Sequence, residues 1–171
     1  MRGITMMLML VLSVPFGVVA AGPHDARSLS FRHTHTGRAL TVTYFADGEY
    51  VSEALTRVEE FLADFRNGEL HRIDPALLDL LVEIQQATGS TGAFEVISAY
   101  RSPATNEMLR KQGRGVARKS MHIEGQAIDV RLTDVDTATL RDTALDLGRG
   151  GVGYYEVSDF VHVDTGRVRR W

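Results

Sequence analysis

The 171-residue chain has no cysteine, only four prolines and a single tryptophan. Without cysteine there can be no disulfide, no thiolate metal ligand and no cysteine nucleophile, so any metal must be held by His, Asp or Glu. Basic residues are not in excess: the formal charge is −3, which is the wrong sign for a nucleic-acid binder. No Gly-x-Ser-x-Gly segment occurs, so the strand-to-helix elbow of a serine hydrolase is missing. Internal repeats and low-complexity tracts are also lacking. What remains is a chain with 44% hydrophobic residues, long enough for one compact domain with a real core.

One long uncharged run stands out. Ile4 to Ala21 follows Arg2, is rich in Met, Leu and Val, and ends in Val19-Ala20-Ala21 ahead of Gly22. It predicts a secretory signal peptide over residues 1–21 and a single domain over 22–171. The run is also near the lower end of the roughly 17–25 residues that span a bilayer. An uncleaved anchor is therefore the competing reading, with Pro15 and Gly17 favouring cleavage. Either way the domain is expected outside the cytoplasm.

The rest of the chain reads as helices first, then strands with helices between them. Leu29 to Phe31 and Ala39 to Tyr44 form a hairpin around Thr36-Gly37. Ser52 caps a helix with Leu55, Val58, Phe61, Leu62 and Phe65 on one face. Asp74-Pro75 starts a second helix with a Leu77, Leu78, Leu81 and Ile84 stripe, which Gly89 stops. Phe94 to Ser98 is a strand, and Ser102-Pro103 opens a helix running to about Lys111. Asp136 to Leu147 is a fourth helix, and Gly151 to Tyr155 and Phe160 to Asp164 are closing strands. This order suits an α+β domain with a small, mainly antiparallel sheet and helices packed on one side.

The chemistry centres on three residues. His122 and Asp129 stand seven apart, and His162 follows thirty-three residues later inside an apolar run. Ala127 to Leu132 alternates like a half-buried strand, with Asp129 opposite Ile128, Val130 and Leu132. Phe160, His162 and Asp164 likewise share one face of their strand. If the two strands are neighbours, Asp129 and His162 face one cleft, and Gly125 lets the chain turn between His122 and its strand. Two His and one carboxylate are a three-ligand zinc set that leaves a position open, as catalytic zinc requires.

The segment Ser120-x-His122-x-x-Gly125-x-Ala127-x-Asp129 resembles the signature of the zinc D-Ala-D-Ala peptidases. So do Ile97-Ser98-Ala99-Tyr100-Arg101-Ser102-Pro103 with Asn106, and Gly151-Val152-Gly153-Tyr154-Tyr155 leading to Phe160-Val161-His162-Val163-Asp164-Thr165-Gly166. The resemblance covers roughly residues 28 to 171 and is closest to the YcbK-like murein endopeptidases. It implies the fold of the lysostaphin, D-Ala-D-Ala peptidase and sonic hedgehog group. It also implies one zinc ion on His122, Asp129 and His162, and hydrolysis of peptidoglycan stem peptides or cross-links in the periplasm or cell envelope. An endopeptidase is preferred over a carboxypeptidase that trims stem peptides, and cross-links of either D-Ala–diaminopimelate or diaminopimelate–diaminopimelate type fit. A zinc-stabilised, non-catalytic peptidoglycan-binding module is the alternative of another class.

By the same resemblance Arg101 stabilises the oxyanion or orients substrate. The general base of related peptidases is a Glu three residues before the last His, and here that position holds Asp159. Strand parity instead favours Asp164, two residues after His162. Whichever aspartate is not the base becomes a partner that orients a ligand. Of the remaining histidines, His33, His35 and His71 read as surface or local structure and His24 as part of a flexible leader. Ser120 and Asn106 read as loop supports. Arg110, Lys111, Arg114, Arg118 and Lys119 crowd the loop before His122, either as a solvated loop or as a docking patch for stem-peptide carboxylates. Trp171 reads as packing, with stacking on substrate as its functional alternative.

Overall fold

In a computed structural model of the protein, residues 26–113 and 115–171 are described. The segment read as a signal peptide lies outside them, and no helix among the described residues is long and apolar enough to cross a membrane.

The chain starts with β1 (Arg27–His33), β2 (Ala39–Ala46) and the short β3 (Glu49–Tyr50). Two helices follow, α1 (Ser52–Phe61) and α2 (Pro75–Thr88). Then come β4 (Phe94–Ser98), α3 (Pro103–Lys111) and β5 (Ala127–Leu132). The chain closes with α4 (Thr137–Leu147), β6 (Gly151–Tyr155), β7 (Phe160–Asp164) and β8 (Arg169–Arg170).

Local chemistry explains most of these boundaries. Asp74 accepts a hydrogen bond from the Ala76 N–H with Pro75 in the first helical position, and Gly89 closes α2. Ser102 and Asp136 cap α3 and α4 in the same way through the Thr105 and Thr139 amides. The start of α1 differs from the expectation. Val51 is its cap residue and no side chain caps it, Ser52 being already helical. Phe65 also falls past the end of α1 at Phe61. It stacks instead on His35, ring centroids 4.4 Å apart, where the chain has turned toward the β1–β2 hairpin.

The strands form one eight-stranded sheet in the order β3-β2-β1-β4-β5-β7-β6-β8. Only β1–β4 and β6–β8 are parallel pairs, so the α+β architecture with a mainly antiparallel sheet stands. One apolar cluster joins a face of the sheet to α1, α2 and α4, with Phe31, Phe61, Leu77, Leu81, Ile84, Val96, Ile128, Val130 and Leu140 among its buried members. The hydrophobic half of β5 points into that core, which turns Asp129 to the opposite face. α3 sits at the rim of that opposite side, its Asn106 donating to the Ala117 carbonyl at 3.1 Å.

A partly buried polar knot ties the first strands to α2. Asp79 accepts from Tyr44 at 2.8 Å, Tyr50 at 2.7 Å and Arg27 at 2.7 Å. These bonds keep the Asp79 carboxyl below its usual range against the upward push of burial.

Candidate metal centre

β5 and β7 are antiparallel neighbours with Asp129 directly opposite His162. Strand alternation then presents both side chains on the face away from the helices. His122 arrives from the loop before β5. Its position depends on Gly125, which adopts φ +67° and whose missing Cβ would lie 2.1 Å from the Arg72 carbonyl oxygen. That contact presses the loop against the segment leading into α2, and the Gly125 carbonyl accepts from the Asp74 N–H at 3.0 Å.

The three side chains meet. His122 Nε2 is 3.1 Å from His162 Nδ1. Asp129 Oδ1 is 2.9 Å from His162 Nδ1 and 3.3 Å from His122 Nε2. All three residues are buried.

Outer partners decide which ring nitrogens carry protons. His122 Nδ1 is 2.7 Å from the Ala99 carbonyl oxygen, which can only accept, so the proton is on Nδ1 and the Nε2 lone pair is free. His162 Nε2 is 2.9 Å from Asp164 Oδ2, which likewise leaves the Nδ1 lone pair free. Two lone pairs and a carboxylate oxygen therefore converge on one point, an arrangement that repels itself unless a cation joins it. The edges of the triangle match the roughly 3.3 Å between ligands 2.0–2.1 Å from a tetrahedral metal. The donor set fits a metal.

The electrostatics favour the ligating form at two of the three groups. Burial pushes the Asp129 carboxyl up, but the two imidazoles outweigh it and hold the group well below the usual carboxylate range. Burial also holds the His122 imidazole down in its neutral, ligating form. Burial pushes the His162 imidazole down, but the hydrogen bonds to Asp129 and Asp164 outweigh this and raise its pKa, so a metal must displace a proton there to be bound.

Asp164 lies beneath the triad with its side chain fully buried. Besides His162, it accepts from Arg169 at 2.7 and 3.0 Å and from the Gly151 and Gly166 amides at 3.1 and 2.9 Å. Arg169 escaped the sequence reading. It is one of several arginines after Asp164, and nothing in the sequence separates it from Arg167 or Arg170.

Arg101 stands on the other side of Asp129, its NH2 3.9 Å from Oδ2. NH1 reaches the Asn106 Oδ1 at 3.4 Å, and Nε is buried without a partner. Burial lowers its pKa, although Asp129 opposes this, and a guanidinium stays charged across the physiological range. Arg101 lines the cleft, so its guanidinium puts a fixed positive charge beside the triad.

Asp159 sits apart from these groups. It closes the β6–β7 turn with φ +52° and accepts from Thr137 Oγ1 at 2.8 Å and Arg131 at 3.2 Å. Arg131 is on the triad's face of β5 but two residues beyond Asp129. Asp159 is exposed there and does not line the cleft.

The cleft over the triad has a volume of about 240 Å³. Arg101 and Lys119 line it, and Tyr155, Phe160 and Trp171 form an aromatic wall. Of the basic residues before His122, Arg110 and Lys111 pair with Glu107 instead, and Arg114 lies outside the described residues. His71 stacks on Tyr100 at 4.7 Å. His33 is buried, and burial pushes its imidazole down to about 4.

A family model described as peptidoglycan L,D-endopeptidase MepK, Peptidase_M15_2, matches residues 21–171. The chain belongs to the Peptidase_M15_2 family. It is 40% identical over 161 residues to the peptidoglycan L,D-endopeptidase MepK of Escherichia coli K12, covering 94% of this chain and 88% of that protein. The Shigella flexneri protein of the same name matches to the same extent. A probable peptidoglycan L,D-endopeptidase MepK of Haemophilus influenzae is 41% identical over 146 residues, covering 85% of this chain and 78% of the relative. No solved structure matches. Membership in a metallopeptidase family and the buried triad agree on a metal-binding site.

Proposed function

We propose that the protein is an exported, zinc-dependent endopeptidase that hydrolyses peptide bonds in peptidoglycan cross-links, in the periplasm or cell envelope. The observation that carries this reading is the convergence of the His122 and His162 lone pairs and Asp129 Oδ1 under an open cleft, in a chain of the MepK family. His122, Asp129 and His162 hold the metal. Zinc suits two imidazoles, one carboxylate and an open position, and when bound it supplies Lewis acidity and lowers the pKa of a coordinated water to about 7.

The chain's own residues do the rest. Arg101 places its guanidinium charge beside the carbonyl oxygen, which becomes anionic as water adds and returns to a carbonyl as the C–N bond breaks. Asp164, saturated with donors, keeps the His162 proton on Nε2 and is a positioning residue. Asp159 is the aspartate held by fewer bonds and left exposed. It takes up the water proton and passes it to the leaving amine, which requires it to release Arg131 and Thr137 and turn inward when substrate binds.

The test is incubation of the purified domain with sacculi and defined cross-linked muropeptides, followed by mass spectrometry. Cleaved cross-links are expected, lost with a chelator and restored by zinc. Binding to sacculi with no product under any metal condition would convert the reading to a non-catalytic binding module.

We also propose that residues 1–21 are a signal peptide and 22–171 a single domain. Intact-mass analysis of the exported protein is expected to find a start near Gly22. Recovery of the full-length chain in the membrane fraction would make the segment an anchor.

A further inference from the structure

We propose that Asp64, a buried aspartate in the loop after α1, is the positioning residue that fixes Arg101 beside the metal centre by pinning the segment from Ala99 to Ser102. The inference rests on the peptidase reading above and adds the group on which the placement of Arg101 depends.

Three carboxylates are buried among the described residues: Asp64, Asp129 and Asp164. The last two serve the triad, and Asp64 has no part in it. Its exposure is 0%, which a carboxylate tolerates only when its oxygens are well bonded. Oδ2 accepts from the Ser102 N–H at 3.0 Å and Oδ1 from the Arg66 N–H at 3.1 Å. Burial pushes the Asp64 carboxyl up, but the Thr105 hydroxyl and these two amides outweigh it and hold the group below its usual value. The charge is therefore kept. It stands at the N-terminus of α3, where the helix dipole favours it.

The segment it holds lies between the end of β4 and the start of α3, outside both. Backbone groups on four successive residues are pinned there. The Ala99 carbonyl accepts from His122 Nδ1 at 2.7 Å. The Tyr100 N–H donates to the Leu62 carbonyl at 3.2 Å, and the Arg101 N–H to the His122 carbonyl at 3.1 Å. The Ser102 N–H donates to Asp64. Of these partners Asp64 is the only side chain outside the metal centre. Asn67 adds a second tie, its Nδ2 donating to the Ser102 hydroxyl at 2.9 Å.

Arg101 needs such a mount because little holds its guanidinium. Its ion pair with Asp129 is long, 3.9 Å, and its bond to Asn106 is 3.4 Å. Asn106 itself rides on α3, whose start Ser102 caps. Burial disfavours the Arg101 charge, and Asp129 and Asp64 are the carboxylates that oppose burial. A cation on the triad draws the field of Asp129 to itself, which leaves Asp64 to offset the buried guanidinium. One carboxylate thus supplies both the backbone anchor and the charge compensation.

The zinc-loaded protein, Asp64→Asn, Arg101→Ala and the double variant are compared on one cross-linked muropeptide. Asp64→Asn keeps the shape of the side chain but removes its charge and one acceptor oxygen. It is expected to lower kcat by about 10–100-fold, as a misplacement of about 1 Å does, with KM and zinc stoichiometry unchanged. In the Arg101→Ala background the same change should cost no further kcat, because the group that Asp64 places is gone. A second readout needs no turnover. In NMR spectra the buried Arg101 Nε–H, identified by its loss in Arg101→Ala, should exchange with water about 10-fold faster in Asp64→Asn, with Arg169 unaffected. Unchanged kcat or unchanged exchange in folded Asp64→Asn, or an equal loss of kcat with and without Arg101, would overturn the placement. Should Asp64→Asn not fold, Asn67→Ala removes the second tie from an exposed residue. A kcat loss of about 3-fold that vanishes in Arg101→Ala is then expected, and an additive loss or none would overturn the placement equally. Wild-type protein that cleaves nothing, while Arg101 exchange still responds to Asp64→Asn, would refute the peptidase reading and leave the placement standing. No cleavage and no response would remove both.

Discussion

His122→Ala and His162→Ala are each expected to lose stoichiometric metal and to cleave cross-linked muropeptides at least about 10³-fold more slowly. That factor corresponds to the several kcal/mol a metal supplies to such a transition state. The two variants should stay folded, because the apolar cluster beneath the sheet does not include either imidazole. They should not behave identically. Removing His162 also takes a hydrogen-bond partner from Asp164, whereas removing His122 frees only the Ala99 carbonyl. Elemental analysis, zinc calorimetry and circular dichroism on each protein provide the check. Tight one-to-one zinc binding in both variants would end the assignment of this triad as the metal centre.

The second large effect separates the two aspartates. Asp159→Asn is expected to lower turnover by about 10²–10⁴-fold, the usual contribution of a positioned acid–base group, with zinc affinity and Tm unchanged. Among the described residues its exposed carboxylate touches only Thr137 and Arg131. Asp164→Asn should act by a different route. It replaces the charged acceptor of the His162 Nε2–H and strands Arg169, so zinc affinity should fall about 10–100-fold. Stability should drop by about 2 kcal/mol, less than for a wholly buried pair because Arg169 is partly exposed. Zinc titration, thermal melts and turnover on the same three proteins distinguish these outcomes. If Asp164→Asn keeps its zinc and its Tm but loses turnover by the larger factor, while Asp159→Asn matches wild type, the base is Asp164. If both cleave normally, neither aspartate is the base. Arg101→Ala, run alongside, should depress kcat by about 10²–10³-fold through the lost oxyanion donor.

The contrast between these aspartates marks where sequence reasoning ended. Strand parity correctly put Asp164 on the face of His162, but period-two alternation says nothing about depth. Ala127 stands opposite Asp164, and the Gly151 and Gly166 amides and Arg169 close around it. The residue thus lies under the triad instead of in the cleft. The family resemblance brought Asp159 to notice, yet a positive φ at the β6–β7 turn directs its carboxylate to Arg131 and Thr137. Such turn geometry depends on what the two strands pack against.

The sequence by itself determined the groups whose meaning is local or periodic. Asp74-Pro75, Ser102-Pro103 and Asp136 set helix starts, because a cap satisfies amides two or three residues away. Alternation in residues 127–132 and 160–164 separated core-facing from cleft-facing side chains and picked out Asp129 and His162, two of the three residues that converge. Only the tertiary structure decided what depends on partners distant in the chain. The placement of Asp129 opposite His162 needs the β5–β7 register, and the histidine tautomers need the Ala99 carbonyl and Asp164. Phe65 leaves the α1 face for His35, and Trp171 finds Gly153 across a parallel strand pair. The free energy of those contacts comes from burial and hydrogen bonding between segments tens of residues apart, and no spacing within a single segment encodes it.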